Sequence, residues 1–120
     1  MSNILISLIS EQPIPNVLFI KERQDEVDNF YFLTTEEMER RDILINILNV
    51  CKIEENKIKK IIIPKYEIDE IQKILQSEFN NIPNKFIVNI TGGTKTMSLE
   101  VYSFFKERRF GNILSSNCKK

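Results

Sequence analysis

Apolar and polar segments alternate along the chain in a regular order. Short apolar runs of strand length are each followed by a longer stretch in which apolar residues recur every three or four positions, as on one helix face. The predicted strands span residues 4–9, 29–33, 60–63, 86–90 and 112–115. Strands that alternate with helices predict an α/β fold of three layers, in which helices cover both faces of a mainly parallel sheet of about five strands.

Helix signals fill the segments between these strands. Pro15 suits the first turn of the first helix, and Thr34 and Glu37 have the spacing of a capping box, so the second helix is predicted to open at Thr34. Gly111 is expected to end the last helix, which begins at Met97. The apolar stripes of the last three helices are Leu44, Ile47, Leu48 and Cys51; Ile68, Ile71, Leu75 and Phe79; and Met97, Val101, Phe104 and Phe105.

Polar residues gather where the predicted strands end. In open parallel sheets, ligands bind beyond the carboxyl ends of the strands, where the strand order reverses. With the order 3-2-1-4-5, the first and fourth strands are neighbours at that reversal, and the turns after them face each other. The polar residues concerned are Ser7, Ser10, Glu11 and Gln12 in or after the first strand, Thr34 and Thr35 after the second, and Thr91 to Thr96 after the fourth.

The turn Asn89-Ile-Thr-Gly-Gly-Thr-Lys-Thr96 joins the fourth strand to the last helix. Two glycines let the backbone approach a ligand closely, the helix N-terminus offers unpaired N–H groups, and Lys95 adds a full positive charge. This arrangement favours a phosphorylated ligand. Simple loop geometry, with Thr94 as a helix cap, is the alternative explanation. The spacing is neither that of a Walker A loop nor that of G-x-G-x-x-G.

The composition narrows the functional classes. With 120 residues, of which 42% are hydrophobic, the chain is expected to form one domain over residues 1–120, with residues 115–120 as a frayed tail. The formal net charge is zero, which argues against a protein that coats nucleic acid non-specifically. No duplex nucleic acid is expected as a partner. Residues 84–120 nevertheless hold seven Lys or Arg against two Asp or Glu, a net charge of +5. An anionic ligand suits that half, although a solvated helix face would give the same count.

The chain contains no histidine, so histidine general bases and most zinc sites are excluded. Cys51 and Cys118 are far apart in sequence, and we expect them to be reduced thiols rather than metal ligands. No metal or cofactor is predicted. No stretch has membrane-spanning length and no signal peptide is evident, so a cytoplasmic location is expected.

Three segments, taken together, resemble one known family. They are Ser7-Leu-Ile-Ser-Glu-Gln-Pro-Ile-Pro-Asn16, Tyr31-Phe-Leu-Thr-Thr35 and Val88-Asn-Ile-Thr-Gly-Gly-Thr-Lys-Thr-Met97. In this order they are similar to the CARF domain, the CRISPR-associated Rossmann fold. The resemblance is greatest to the N-terminal sensor of type III CRISPR effector nucleases that carry a PD-(D/E)xK domain. It covers nearly the whole chain, from Asn3 to Ser115.

The resemblance implies a symmetric homodimer that binds a cyclic oligoadenylate, and cyclic tetra-adenylate in particular, across its two-fold axis. By position, Gly92, Gly93, Thr94 and Lys95 would hold phosphates, and Ser10, Glu11 and Gln12 would contact ribose or adenine. Thr34 and Thr35 would line the side of the pocket, and Ser7 would contribute a ligand contact from the first strand. Asn89 and Thr91 would brace the turn. Helix capping is an alternative role for Ser10 and Thr34.

The sequence departs from those effectors because no nuclease or other effector domain is recognisable in it. Three interpretations remain open. The chain could be a metal-independent ring nuclease in which Lys95 stabilises the charge at phosphorus and Ser10 positions a ribose 2′-OH. It could be a non-catalytic sensor or sponge that acts through a separate effector protein, with Lys106, Arg108 and Arg109 as a candidate surface. It could also be the sensor part of a longer effector.

Overall fold

The computed structural model describes residues 3–11, 13–80, 85–90, 92–108 and 111–114. Five parallel strands form one sheet in the order β3-β2-β1-β4-β5. They are β1 (Asn3–Leu8), β2 (Asn29–Thr34), β3 (Ile58–Ile62), β4 (Lys85–Asn89) and β5 (Gly111–Leu114). The predicted parallel sheet is therefore confirmed, and its order is the order 3-2-1-4-5 that was assumed for the two facing turns. The order reverses between β1 and β4, where Ser7 is the register partner of Asn89.

Helices cover both faces of the sheet, as predicted. One face carries α1 (Pro13–Arg23), α2 (Glu36–Arg40) and α3 (Ile43–Cys51), and the other carries α4 (Ile68–Phe79) and α5 (Lys95–Arg108). One-turn 3-10 helices lie at Gln24–Glu26 and Glu55–Lys57. In the part of the chain that the structure describes, none of the helices is long and apolar enough to cross a membrane.

Successive side chains of a strand point to opposite faces of the sheet, and this divides the core into two parts. In β1, Ile4, Ile6 and Leu8 pack against α4 and α5, whereas Leu5 and Ile9 pack toward α1 and α3. A strand buried on both sides reads as a continuous apolar run, which is why residues 4–9 predict a central strand. Both faces of β1 are thus fixed by packing, and its carboxyl end is held in one position at the centre of the sheet.

Aromatic rings form the core between the sheet and the pair α4–α5. Phe79, fully buried at the end of α4, has its ring centroid 5.3 Å from that of Phe105 and 5.7 Å from that of Phe86. The centroid of the Tyr31 ring lies 5.1 Å from that of Phe79. Aromatic pairs in tilted and edge-on arrangements are favourable beyond the apolar area that they bury. This cluster fixes α5, and therefore the turn that precedes it, against the sheet.

The second helix differs from the prediction in two ways. The expected N-cap, Thr34, is the last residue of β2, because β2 stays paired with β3 up to the Thr34–Ile62 pair. Thr35 is the cap instead, and its hydroxyl accepts a hydrogen bond from the N–H of Met38. The predicted single helix is also broken at Asp42, which adopts the left-handed conformation with φ of 56°. Asp tolerates this region better than most residues.

Three smaller details also differ. Strand β3 begins at Ile58, two residues before the predicted start. Ile68, assigned to the buried stripe of α4, is 51% exposed because it lies at the first residue of the helix, beyond the sheet. Gly111 begins β5 rather than ending α5, whose last residue is Arg108. The predicted tail at residues 115–120, Arg109 and Cys118 lie outside the described residues.

Because Phe79 lies at the centre of this aromatic cluster, we expect Phe79→Ala to cause a large loss of stability. The substitution removes a fully buried ring that contacts four other aromatic residues, so we expect the free energy of unfolding to fall by about 3–5 kcal/mol in urea denaturation. Leu99→Ala is the control, because Leu99 is 60% exposed on α5, and should change stability by no more than about 0.5 kcal/mol. Equal effects of the two substitutions would contradict the assigned core.

Candidate functional site

Loops that follow four parallel strands meet at one edge of the sheet. Their described residues are 9–11 after β1, Thr35 after β2, 63–67 after β3, and Ile90 with 92–94 after β4. Because β1 and β4 are hydrogen-bonded neighbours while their helices lie on opposite faces, the chain leaves these two strands in opposite directions, which is the position where open parallel sheets form a ligand-binding crevice. The candidate site is built around this crevice.

Gly92 allows the turn after β4 to pass directly against the end of β1. A Cβ at this position would overlap the carbonyl oxygen of Leu8, and it would lie 3.0 Å from the Cβ of Ser10. The backbone after β4 therefore passes directly against the end of β1, an approach that only glycine permits. The prediction that the Ser10 turn and the Gly-Gly turn face each other is confirmed by this contact.

The shape of the turn is set by its other residues. Gly93 has a φ of 80°, which side chains rarely adopt, and a Cβ there would also press on the Met97 side chain at 3.0 Å. The Thr94 hydroxyl caps α5 by accepting a hydrogen bond of 3.1 Å from the N–H of Met97. Ser98 donates from the first turns of α5 to the carbonyl oxygens of Ile90 (2.9 Å) and Gly92 (3.1 Å). The turn is thus fixed before any ligand binds.

Positive electrostatic character is concentrated at the start of α5. The N–H groups of Lys95 and Thr96 belong to the first turn, where an α-helix supplies no carbonyl partner, and the helix dipole places partial positive charge there. Lys95 itself is exposed, and no acidic side chain in the described part of the chain pairs with it. These groups together can bind an anion such as a phosphate.

On the β1 side of the crevice, Ser10 is half-buried beside Gly92. Glu11 is exposed, and its carboxylate lies 3.4 Å from a guanidinium nitrogen of Arg41. Gln12, like Thr91 on the other side, lies outside the described residues. Ligand contacts by Ser10 and Glu11 stay predictions: Ser10 lies beside Gly92, whereas Glu11 is paired with Arg41 at the end of α2.

Ser7 and Asn89 lie below the crevice in a buried polar network. The Ser7 hydroxyl donates to the side-chain oxygen of Asn16 on α1, and the Asn89 amide donates to both Ser7 and Asn16 at 3.3 Å. The Asn16 amide in turn donates to the Leu8 carbonyl at 3.1 Å. All three side chains are almost fully buried, so their hydrogen bonds join β1, β4 and α1 rather than facing the crevice. Asn89 thus braces the strand end.

Thr34 and Thr35 have different environments. Thr34 is fully buried, and its backbone carbonyl extends the sheet by accepting from the N–H of Ile63 at 2.8 Å. Thr35 is 6% exposed, but it is one of the residues that line a cleft of about 560 Å³ between α2 and the loop at residues 63–67. The structure therefore places Thr35, but not Thr34, in the wall of a cleft where a ligand could bind.

The loop after β3 reaches the Gly-Gly turn, although β3 is three strands from β4. The Thr94 hydroxyl donates a 2.7 Å hydrogen bond to the backbone carbonyl of Lys65. The Lys65 ammonium forms an ion pair with Glu37 on α2. The hydrogen bond that the Lys65 ammonium donates to the Glu37 carboxylate, together with the attraction between the two charges, lowers the pKa of Glu37 and raises the pKa of Lys65. The loop is therefore connected to both the turn and α2.

Sequence reasoning missed four residues that shape the site: Asn16, Lys65, Tyr66 and Ser98. A polar residue on a helix gives no sign of burial in one sequence, so Asn16 and Ser98 could not be found. Lys65 and Tyr66 could have been found, because they follow a parallel strand and must lie at the same edge as the other turns. Among the described residues, no three acidic or cysteine side chains are grouped so as to hold a metal ion.

Comparison with known proteins identifies the fold and the family. A family model for the Card1 CARF domain matches residues 4–114. The structure is similar to that of Can2 from Sulfobacillus thermosulfidooxidans in complex with cyclic tetra-adenylate, with a TM-score of 0.78 and 23% identity over 94% of this chain. It also resembles Enterococcus italicus Csm6 bound to cyclic hexa-2′-fluoro-hexa-dAMP, with a TM-score of 0.65 and 16% identity over 96% of this chain.

The chain matches only part of each of these two proteins, 31% of Can2 and 33% of Csm6. Comparison with curated protein sequences gave no match. The resemblance to CARF domains that the sequence motifs indicate is confirmed by the family model and by the shared fold.

The contact at Gly92 predicts that Gly92→Ala destabilises the protein. A backbone carbonyl in a central strand cannot move aside, so the added methyl group should lower the free energy of unfolding by about 1–3 kcal/mol, the usual cost of overpacking. Urea denaturation measures this change, and Ser103→Ala at an exposed position of α5 is the matched control. Wild-type stability in Gly92→Ala would show that the two turns are not in close contact.

Proposed function

Because the chain belongs to the Card1 CARF domain family, we propose that it binds a cyclic oligoadenylate in type III CRISPR antiviral signalling. The observation that carries the proposal is the rigid Gly-Gly turn at the N-terminus of α5, packed against the end of β1 where the strand order reverses. A cyclic oligoadenylate offers one phosphate per nucleotide, and the turn offers helix N–H groups and the exposed Lys95 ammonium.

Cyclic tetra-adenylate is the proposed ring. Can2, whose structure contains this ring, has a higher TM-score with this chain than Csm6, whose structure contains an analogue with six nucleotides in the ring. A ring of four nucleotides, like a ring of six, divides evenly between two identical subunits, so one set of residues can be used twice around a two-fold axis. We propose a symmetric homodimer in which each subunit's Gly92 to Lys95 segment contacts the phosphates.

Cleavage of the ring is a second candidate function. The contact between Ser10 and Gly92 brings a hydroxyl group to the same crevice as Lys95. In this reaction a ribose 2′-oxygen would attack its own 3′-phosphorus, and the bond from phosphorus to the neighbouring 5′-oxygen would break. The 5′-oxygen would take up a proton, and a 2′,3′-cyclic phosphate would remain. Lys95 would stabilise the charge that develops at phosphorus, and Ser10 would orient the 2′-OH.

The ring could otherwise be bound without being cleaved. In that case the chain acts as a sensor or a sponge, and its output comes through a separate effector protein or through an effector domain in a longer protein. Positioning of the reacting oxygen decides between binding and cleavage, since both need the same phosphate contacts.

We expect Lys95→Ala to weaken binding of cyclic tetra-adenylate at least tenfold, since losing a charged hydrogen bond to phosphate costs about 1.5–3 kcal/mol. Titration of labelled ring, followed by fluorescence anisotropy, gives the dissociation constant. Lys106→Ala is the matched control, because Lys106 is an exposed lysine three turns further along the same helix. If Lys95→Ala binds as tightly as the control, the phosphate site does not lie at the Gly-Gly turn.

Cleavage is tested by a time course with the protein in excess over radiolabelled ring and with EDTA present. Each sample is divided between a native gel, which reports binding, and denaturing chromatography, which reports cleavage. For a ring nuclease we expect linear products, and Ser10→Ala should bind normally and cleave more slowly. An intact ring after hours, with a shifted band in the native gel, rules out cleavage and leaves binding alone. An unchanged cleavage rate in Ser10→Ala would remove Ser10 from the mechanism.

A further inference from the structure

A cleft beside the Gly-Gly turn is not used by the phosphate contacts described so far. It has a volume of about 560 Å³ and lies between α2 and the loop after β3. Its walls include Thr35, Glu37, Arg40, Pro64, Lys65 and Tyr66. A nucleobase is flat and smaller than this space, so the cleft can admit one base with water.

The cleft lies where a base attached to a bound phosphate would reach. Thr94, in the phosphate-binding turn, donates a 2.7 Å hydrogen bond to the backbone carbonyl of Lys65, which is itself part of the cleft wall. One hydrogen bond therefore separates the turn from the cleft. In a nucleotide, only the ribose lies between phosphate and base, so a phosphate at the turn places its base within reach of the cleft.

Charge distinguishes the cleft from the turn. The cleft is lined by four glutamates, Glu36, Glu37, Glu67 and Glu70, against only two cationic residues, Arg40 and Lys65. This excess of negative charge disfavours a phosphate but suits a neutral base with an amino group. Adenine carries the N6 amino donor, which a carboxylate can accept, and the N7 acceptor, to which Lys65 or Arg40 can donate.

The Tyr66 ring provides a surface for the base. Tyr66 is 65% exposed at the rim of the cleft. Its ring is therefore largely uncovered, although aromatic rings in proteins usually bury most of their apolar surface. Single-stranded nucleotides are commonly recognised by stacking on such aromatic rings, because every base has an apolar face. A base stacked on Tyr66 would also leave its edge facing the glutamates.

From these observations we infer that the cleft binds one adenine base of the ring in each subunit, with Tyr66 stacking on the base and the acidic rim recognising its amino group. Tyr66 would then be a specificity-determining residue that the phosphate contacts alone do not supply. The inference rests on the proposed binding of a cyclic oligoadenylate, and it adds the second recognition element of the same site.

The test compares the affinity of labelled cyclic tetra-adenylate for wild type, Tyr66→Ala, Tyr66→Phe and Tyr102→Ala at several salt concentrations. Tyr102 is the matched control, since it is another exposed tyrosine, on α5. We expect Tyr66→Ala to weaken binding about tenfold or more, whereas Tyr66→Phe and Tyr102→Ala remain near wild type. The salt dependence should stay that of wild type in Tyr66→Ala but fall in Lys95→Ala, because only the latter removes a charge contact with phosphate.

A second measurement uses cyclic tetra-inosinate, in which a carbonyl oxygen replaces the N6 amino group. Wild type should bind this ring at least about tenfold more weakly, because the glutamates at the rim of the cleft would then face an acceptor. Equal affinity for the two rings, or wild-type affinity in folded Tyr66→Ala, would overturn the inference while leaving the phosphate site intact. If wild type binds neither ring, the proposed function itself fails, and the adenine cleft fails with it.

Discussion

The contact between Gly92 and the Leu8 carbonyl is the constraint on which the site depends. It exists because β1 and β4 are adjacent at the reversal of strand order, and because residue 92 has no Cβ. Any side chain there would push the turn after β4 away from the end of β1. The shape of the Gly-Gly turn and the position of Ser10 beside it follow from this close approach of two backbone segments.

The surrounding residues make the turn rigid from both sides. Below it, the buried hydrogen bonds among Ser7, Asn16 and Asn89 hold the ends of β1 and β4 to α1. Beside it, Ser98 and the cap residue Thr94 fix the turn to α5. A site that is already ordered loses little conformational entropy when a ligand binds, which improves affinity without requiring more contacts. The polar residues outside direct reach of a ligand therefore have a definite role.

Much of the fold follows from the sequence, because strand and helix periodicities differ and strands buried on both faces form continuous apolar runs. The alternation of strands and helices and the Gly-Gly turn at the start of α5 were predictable for this reason, whereas the strand order entered only as an assumed order, which the structure shows. The break at Asp42 was not, since a left-handed residue leaves no trace in the apolar stripe of α3. The parallel sheet does place Lys65 and Tyr66 at the same edge as the other turns, but nothing local indicates the hydrogen bond from Thr94 to the Lys65 carbonyl, because it spans 29 residues.

The central claim is that two copies of this chain hold one cyclic tetra-adenylate ring through their Gly-Gly turns. Native mass spectrometry of the protein mixed with the ring tests it most directly, because the technique reports the number of chains and ligands in one complex. The account predicts a dominant species of two chains with one ring, which is lost in Lys95→Ala and retained in Lys106→Ala. A ring on a single chain, or chains that never carry a ring, would contradict the account.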